Sequence, residues 1–208
     1  FDPGVFDHDL ALKTSWTPKA GGGASFKTKT LEIVSSDELR YKASPYGKIF
    51  GALFIIFPVL FLGVGIYTKS DQEFTQDQLW FILVPLVLLG AGIFLLKKFY
   101  TTIVFNKSTG YFQKGKKSQI KTLIIKEDAH TFKLSSIKAL QILPERISSE
   151  DSSYTSYEIN LVFEDGTRYN VIDHGHRRSI EQDAMILSDF LNVPVWNKMT
   201  STTYFSNN

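Results

Sequence analysis

Two uncharged apolar runs, Ile49–Thr68 and Leu79–Leu96, constrain this chain more than any other feature. They are twenty and eighteen residues long. A helix rises about 1.5 Å per residue and a bilayer core is roughly 30 Å thick, so each run is long enough to cross one. Neither carries the polar stripe of a helix that packs into a soluble core. The mean hydropathy of −0.05 and net charge of +2 hide this, because they average two apolar rods with polar surroundings. Between the rods lies TKSDQEFTQDQ, Thr68–Gln78, where Lys69 is outnumbered by Asp71, Glu73 and Asp77. The patch is too polar for lipid and too short for a domain, which predicts the turn of a transmembrane hairpin. The outer flanks carry Arg40, Lys42 and Lys48 before, and Lys97, Lys98, Lys107, Lys114, Lys116 and Lys117 after. Positive charge beside the spans marks the cytoplasmic face, so both termini are expected in the cytoplasm. A bacterial inner membrane, or an organelle membrane of the same topology, is the expected location. Tyr67, Trp80 and Tyr100 fall at interfacial positions.

The spans contain no Asp, Glu, Lys, Arg, His, Asn or Gln. An ion or proton path needs such groups or a wet cavity, so a self-assembled pore is disfavoured. Gly63 and Gly65, then Gly90 and Gly92, offer small surfaces for close helix contact with a partner. Pro58 and Pro85 interrupt the spans and are tolerated in membrane helices. The chain has no cysteine, which removes disulfides, thiolate metal sites and a cysteine nucleophile.

Residues 1–23 read as an extended docking tail ending in the flexible Gly21–Gly23. Its Phe1, Phe6, Leu10 and Trp16 are unusual for a disordered tail and point to docking on a partner. SFKTKTLEIV and ELRYKAS predict two strands around a turn at Ser35–Asp37, a β-hairpin over 24–45. YTTIVFNKSTGYFQKGK predicts another hairpin, with its turn at Asn106–Gly110. QIKTLIIKE and HTFKLSSIKALQIL predict further strands, and PERISSEDSS a solvent loop. In SYEINLVFEDGTRYNVIDHG, Tyr157, Ile159, Leu161 and Phe163 alternate on one face. A three-residue loop, Glu164–Gly166, with Gly166 left-handed, sets Leu161 opposite Tyr169 and Ile159 opposite Val171 and unites the apolar faces. RRSIEQDAMILSDFLN predicts a helix with a stripe of Ile180, Ala184, Leu187 and Leu191 and a Ser179–Gln182 capping box. Pro194 stops it.

The order is two strands, a membrane hairpin over 46–99 (spans about 49–68 and 79–96), five or six strands, then one helix. With YEINLVFEDGTRYNVIDHG…DFLNVPVW, Tyr157–Trp196, this resembles largely uncharacterised bacterial two-helix membrane proteins that carry a pleckstrin-homology-like domain. The resemblance covers most of residues 25–196 and implies a membrane α+β fold. In it the hairpin is inserted in, or attached to, an antiparallel β-barrel with a C-terminal capping helix. The barrel and helix would occupy 100–196 and a tail 197–208. The N-terminal strands complete that barrel or form an independent hairpin. A lone two-stranded hairpin is marginal in water, which favours the former.

No catalytic constellation converges in the sequence. His174 and His176 beside Asp173 suit turn and capping chemistry better than a metal site, because further ligands have no source. No nucleotide or other cofactor motif is found, and no cofactor or small-molecule substrate is expected. Nucleic acid is not expected as a partner, since the net charge is small and the basic cluster has few aromatics. Lys97, Lys98, Lys114, Lys116, Lys117 and Lys121 form a basic juxtamembrane face suited to lipid headgroups. The expected function is a non-enzymatic accessory or assembly subunit that binds a larger integral membrane complex through its tail, spans and barrel. The alternative is a regulator that senses anionic lipid headgroups through the basic face.

Overall fold

The computed structural model describes residues 1–69, 79–115, 130–150 and 152–204. The acidic turn therefore lies almost wholly outside the described residues, and so do QIKTLIIKE and Lys116, Lys117 and Lys121. Strands β1 (Lys29–Ser35) and β2 (Glu38–Ala43) precede helices α2 (Pro45–Lys69) and α3 (Leu79–Phe99). Strands β3 (Thr102–Asn106), β4 (Tyr111–Gly115) and β5 (Thr131–Lys133) follow. Then come β6 (Ile137–Ser148), β7 (Ser153–Phe163), β8 (Arg168–His174) and α4 (Arg177–Leu191), with β9 (Val195–Asn197) and β10 (Thr202–Tyr204) closing the chain. A short helix α1 (Asp9–Lys13) lies in the N-terminal segment.

Helices α2 and α3 are long and apolar enough to cross a membrane. Only 17% and 11% of their most apolar windows are covered by the rest of the chain, so they are not core helices of the folded part. Ser44 starts α2 by accepting the Gly47 N–H on its side chain at 2.9 Å, with Pro45 at the first helical position. Lys97 and Lys98 end α3, where positive charge suits the helix dipole. The two helices pack antiparallel through glycines. A Cβ on Gly51 would meet Leu96 at 2.5 Å, and one on Gly92 would meet the Phe54 carbonyl oxygen at 2.9 Å. Gly65 lies under the Phe81 ring, which packs tilted against Phe61 with centroids 4.5 Å apart.

The strands form two five-stranded sheets, in the orders β1-β2-β3-β4-β5 and β10-β9-β6-β7-β8. All pairings are antiparallel except β6 with β9. No closed barrel is found among the described residues. Strand β2 pairs with β3, Tyr41 opposite Ile103, so the helical hairpin replaces the turn of a β-hairpin and β1–β2 belong to the first sheet. The main core lies between the sheets and α4. It holds Leu39, Tyr41 and Phe105 from one side, Ile142, Ile159 and Leu161 from the other, and Ile180, Ala184 and Leu187 from the helix.

Several sequence expectations change here. Only the end of PERISSEDSS, between β6 and β7, is a loop: β6 runs through to Ser148 and Pro144 pairs with Tyr157. Leu140 donates its N–H to the Pro194 carbonyl on the β9 side, so Pro144, four residues on, turns its nitrogen the same way. The β9 pairing has ended at Ile142, and the missing N–H therefore breaks no ladder bond. HTFKLSSIKALQIL is interrupted by a 3-10 turn at Leu134–Ser136. The β7–β8 loop is the three-residue one, Gly166 has φ +80°, and Leu161 faces Tyr169. A bulge then places Ile159 opposite Ile172 rather than Val171, and both Val171 and Ile172 reach the core. His176, not Ser179, caps α4, by accepting the Ser179 N–H on Nδ1 at 3.3 Å. Residues 197–204 are not a tail, because β9 and β10 extend the second sheet.

The N-terminal segment also differs from its expected role. Phe6, Leu10, Ala11 and Trp16 are buried against Ala139, Leu143, Val162 and Trp196, on the face of the second sheet that looks away from the main core. That face is apolar because strand alternation puts Ile159 and Leu161 inward and Val162 outward. The segment is therefore a strap on its own sheet.

Candidate functional site

The site that the fold builds most deliberately is the joint between the hairpin and the sheets. Lys29, on β1, is only 8% exposed and donates its ammonium to the Phe99 and Thr101 carbonyls at 2.8 and 2.5 Å. The Phe99 carbonyl is the last of α3 and the Thr101 carbonyl lies just beyond it, so the lysine caps the helix and answers its negative pole. Ser44 donates to the Lys27 carbonyl at 2.5 Å, which ties the start of α2 to the segment before β1. The Phe26 ring packs between Phe50 and Phe99, at 5.2 and 6.4 Å between centroids. The hairpin is thus held by a cap, a hydrogen bond and an aromatic wedge.

Beside this joint is a cleft of about 410 Å³. Its charged lining is Lys29, Lys98, Lys114 and Asp173, its apolar wall includes Phe50 and Leu95, and Gly21–Gly23 form part of its rim. Lys114, on β4, donates its ammonium to the Asn170 and Val171 carbonyls at 3.0 and 3.2 Å, beside the β8 bulge. Burial, then repulsion from Lys114 and Lys98, lowers Lys29 to about 8. Burial also lowers Lys114, against the attraction of Asp173. Asp173 is raised by burial, and Lys98 and Lys114 oppose that rise.

The expected site residues divide between this cleft, the hairpin seam and the strap. Lys98 and Lys114 line the cleft, while Lys97 is exposed outside it. Lys114 is not a free surface charge, being held on two carbonyls. Gly65 and Gly92 are consumed by the contact between α2 and α3, whereas a Cβ on Gly63 or Gly90 would meet nothing within 4 Å. Phe6, Leu10 and Trp16, expected to bind a partner, are covered by the chain itself. Phe1 is 56% exposed, with its ring 4.9 Å from that of Trp16.

Sequence reasoning missed Lys29 and Glu158, and considered Asp173 only beside the two histidines. Lys29 sits in SFKTKT two residues from Lys27, on the same alternation face, and nothing local marks it as the buried one. Glu158 is 2% exposed and holds the strap. It accepts the Lys19 and Ala20 N–H groups at 2.8 and 3.0 Å, and the Asn160 and Asn170 side-chain amides at 2.7 and 3.3 Å. Gln141 and Arg168 add bonds to the Ser15 and Thr17 carbonyls, and Lys198 one to the Trp16 carbonyl. A buried glutamate between apolar neighbours in YEINLVF was the available signal.

The histidines act on backbone. His174 Nδ1 accepts the His176 N–H at 3.1 Å, and His176 caps α4. The accepting Nδ1 of His174 is unprotonated, so that ring is neutral with its proton on Nε2. Burial, with Lys27 and His176 nearby, holds His174 down at about 4. Asp183 on α4 is raised by burial to about 6, against the pull of Lys27 and the Tyr41 hydroxyl. Tyr41 is raised by the same burial and by Asp183, yet neither its hydroxyl nor Asp183 Oδ2 closes a hydrogen bond.

Comparison with protein-family models, with curated proteins and with solved structures finds no match to this chain.

Proposed function

We propose that this protein is a non-enzymatic accessory or assembly subunit, anchored by the α2–α3 hairpin in a bacterial inner membrane with both termini in the cytoplasm. It binds a larger integral membrane complex, and no cofactor or substrate enters the reading. The observation that carries it is the joint. Lys29, Ser44 and Phe26 clamp the hairpin to the first sheet, and only short connections enter and leave it. A partner that grips the helices therefore also positions the sheets. The partner face proposed is the outer surface of the hairpin, including Gly63 and Gly90, since Gly65 and Gly92 are spent within it. The two sheets with α4 are read as an opened pleckstrin-homology-like unit. Its strand sequence β1–β4, β6–β8 then helix supports this, with β5, β9 and β10 as additions.

The test is extraction in a mild detergent followed by native mass analysis. The reading expects a stoichiometric integral membrane protein bound to the chain, lost when Gly63 and Gly90 are both changed to Leu. A monomer with no partner contradicts it. The second reading, a regulator responsive to anionic lipid, is favoured by the three lysines gathered in the cleft at the foot of the hairpin.

A further inference from the structure

The cleft holds more positive charge than its structural duties use. Three lysines and one carboxylate line it, a balance of 3 − 1 = +2. None of Lys29, Lys98 and Lys114 takes part in an ion pair among the described residues. Lys29 and Lys114 each donate to two carbonyls. An ammonium has three N–H donors, so two carbonyls leave one on each, and the Lys114 ammonium also lies 5.4 Å from the Tyr169 ring centroid. Lys98 is exposed on the last turn of α3. Burial lowers Lys29 to about 8, repulsion from Lys114 and Lys98 adds to the shift, and an anion placed among the three relieves that repulsion. Phe50 and Leu95 also line the cleft and belong to the predicted spans, so the cleft reaches the foot of the hairpin.

We propose that this cleft binds a phosphomonoester, with Lys98 and the remaining N–H groups of Lys29 and Lys114 around the phosphate. Its source is a phospholipid whose acyl side lies along Phe50 and Leu95. A phosphomonoester carries roughly −1.5 to −2 at neutral pH, which matches the cleft. A diester headgroup carries one charge fewer. A soluble phosphate ester offers nothing to the apolar wall. The inference rests on the hairpin lying in a bilayer, as in the lipid-responsive reading, and does not depend on a protein partner.

The test uses the full chain in nanodiscs of phosphatidylcholine containing phosphatidic acid or phosphatidylserine at equal mole fraction, with bound lipid read by native mass spectrometry. The expected result is one phosphatidic acid per chain, about tenfold preferred over phosphatidylserine, since one extra charge is neutralised in a partly buried site. Lys98→Glu removes that preference. Lys97→Glu, which reverses the adjacent exposed charge outside the cleft, keeps it. Diffuse attraction to an anionic surface treats the two lysines alike, so equal loss in both variants overturns the site. Absence of any phosphatidic acid preference overturns it as well. Displacement of the lipid by millimolar glycerol 3-phosphate overturns the lipid source and assigns the cleft to a soluble phosphomonoester. Carbonate extraction of every variant reports anchoring separately, so loss of lipid binding from an anchored chain counts against the cleft and not against the hairpin.

Discussion

Replacing Glu158 tests whether the N-terminal segment is a strap on its own sheet. The carboxylate accepts two strap N–H groups, from Lys19 and Ala20, and is 2% exposed. In Glu158→Gln one oxygen becomes an NH₂ group. Each oxygen accepts one strap N–H and one asparagine amide, so whichever becomes the NH₂ faces both, donor against donor, and one strap bond is lost. A hydrogen bond to a buried charged group contributes about 1.5–3 kcal/mol, and an orphaned buried donor costs a comparable amount. Local detachment of the strap is therefore easier by about 2–4 kcal/mol, which is roughly 30- to 900-fold in the population of the open form. Trypsin cleavage after Lys13 and Lys19 reads that population when reclosing outpaces cutting. The expected outcome is faster cleavage at both sites by a factor in that range, with the rest of the fold intact. A change below about threefold refutes the reasoning, because a bond worth so little cannot be what holds the segment.

Acid should affect the wild-type protein little through its buried core, because two groups oppose each other. His174, normally near 6.5 and held at about 4, takes up a proton more readily unfolded, so its contribution is present above pH 6.5 and is lost as pH falls toward 4. Asp183, normally near 3.8 and raised to about 6, does the reverse and stabilises as pH falls from 6 to 3.8. Each amounts to about 3 kcal/mol at most. Asp183→Asn therefore exposes a loss of about that size between pH 6.5 and 4 in denaturant titrations; a flat profile contradicts the pairing. Gly92→Leu forces a side chain onto the Phe54 backbone and should destabilise the hairpin by about 1–3 kcal/mol, while Gly63→Leu leaves thermal stability unchanged in detergent. Deleting residues 1–20 uncovers Leu143, Val162 and Trp196, so the truncated protein should aggregate on size-exclusion chromatography; a monodisperse product contradicts the strap.

The two long apolar helices were legible because twenty uncharged residues in succession have few other uses; α2 begins at Pro45, before the first run, and α3 continues past the second to Phe99. The register of β7 was legible from alternation at Tyr157–Phe163 and from Gly166, the one residue there that takes φ +80° without strain. What the sequence could not show was which chain covers the second face of that sheet. Phe6 and Trp16 announce a docking segment, but nothing local says that the surface they need, Val162 and Trp196, lies on the same molecule. The cleft was half visible. Lys98 and Lys114 stood out in a basic juxtamembrane run, but Lys29 and Asp173 reach it from β1 and β8 only through tertiary placement. Pro144 read as a loop because the open edge that tolerates it depends on β9, fifty residues later.

The central claim is that two helices cross the bilayer and return the chain to the face it started from. The absence of native cysteine makes single-cysteine labelling clean. Glu73→Cys, between the helices, and Asp165→Cys, on the exposed β7–β8 loop, are each treated with a membrane-impermeant maleimide on intact spheroplasts. The account predicts labelling at 73 from outside, and at 165 only after permeabilisation. Labelling of both from one side contradicts a spanning hairpin, and the reverse pattern contradicts the cytoplasmic placement of the sheets.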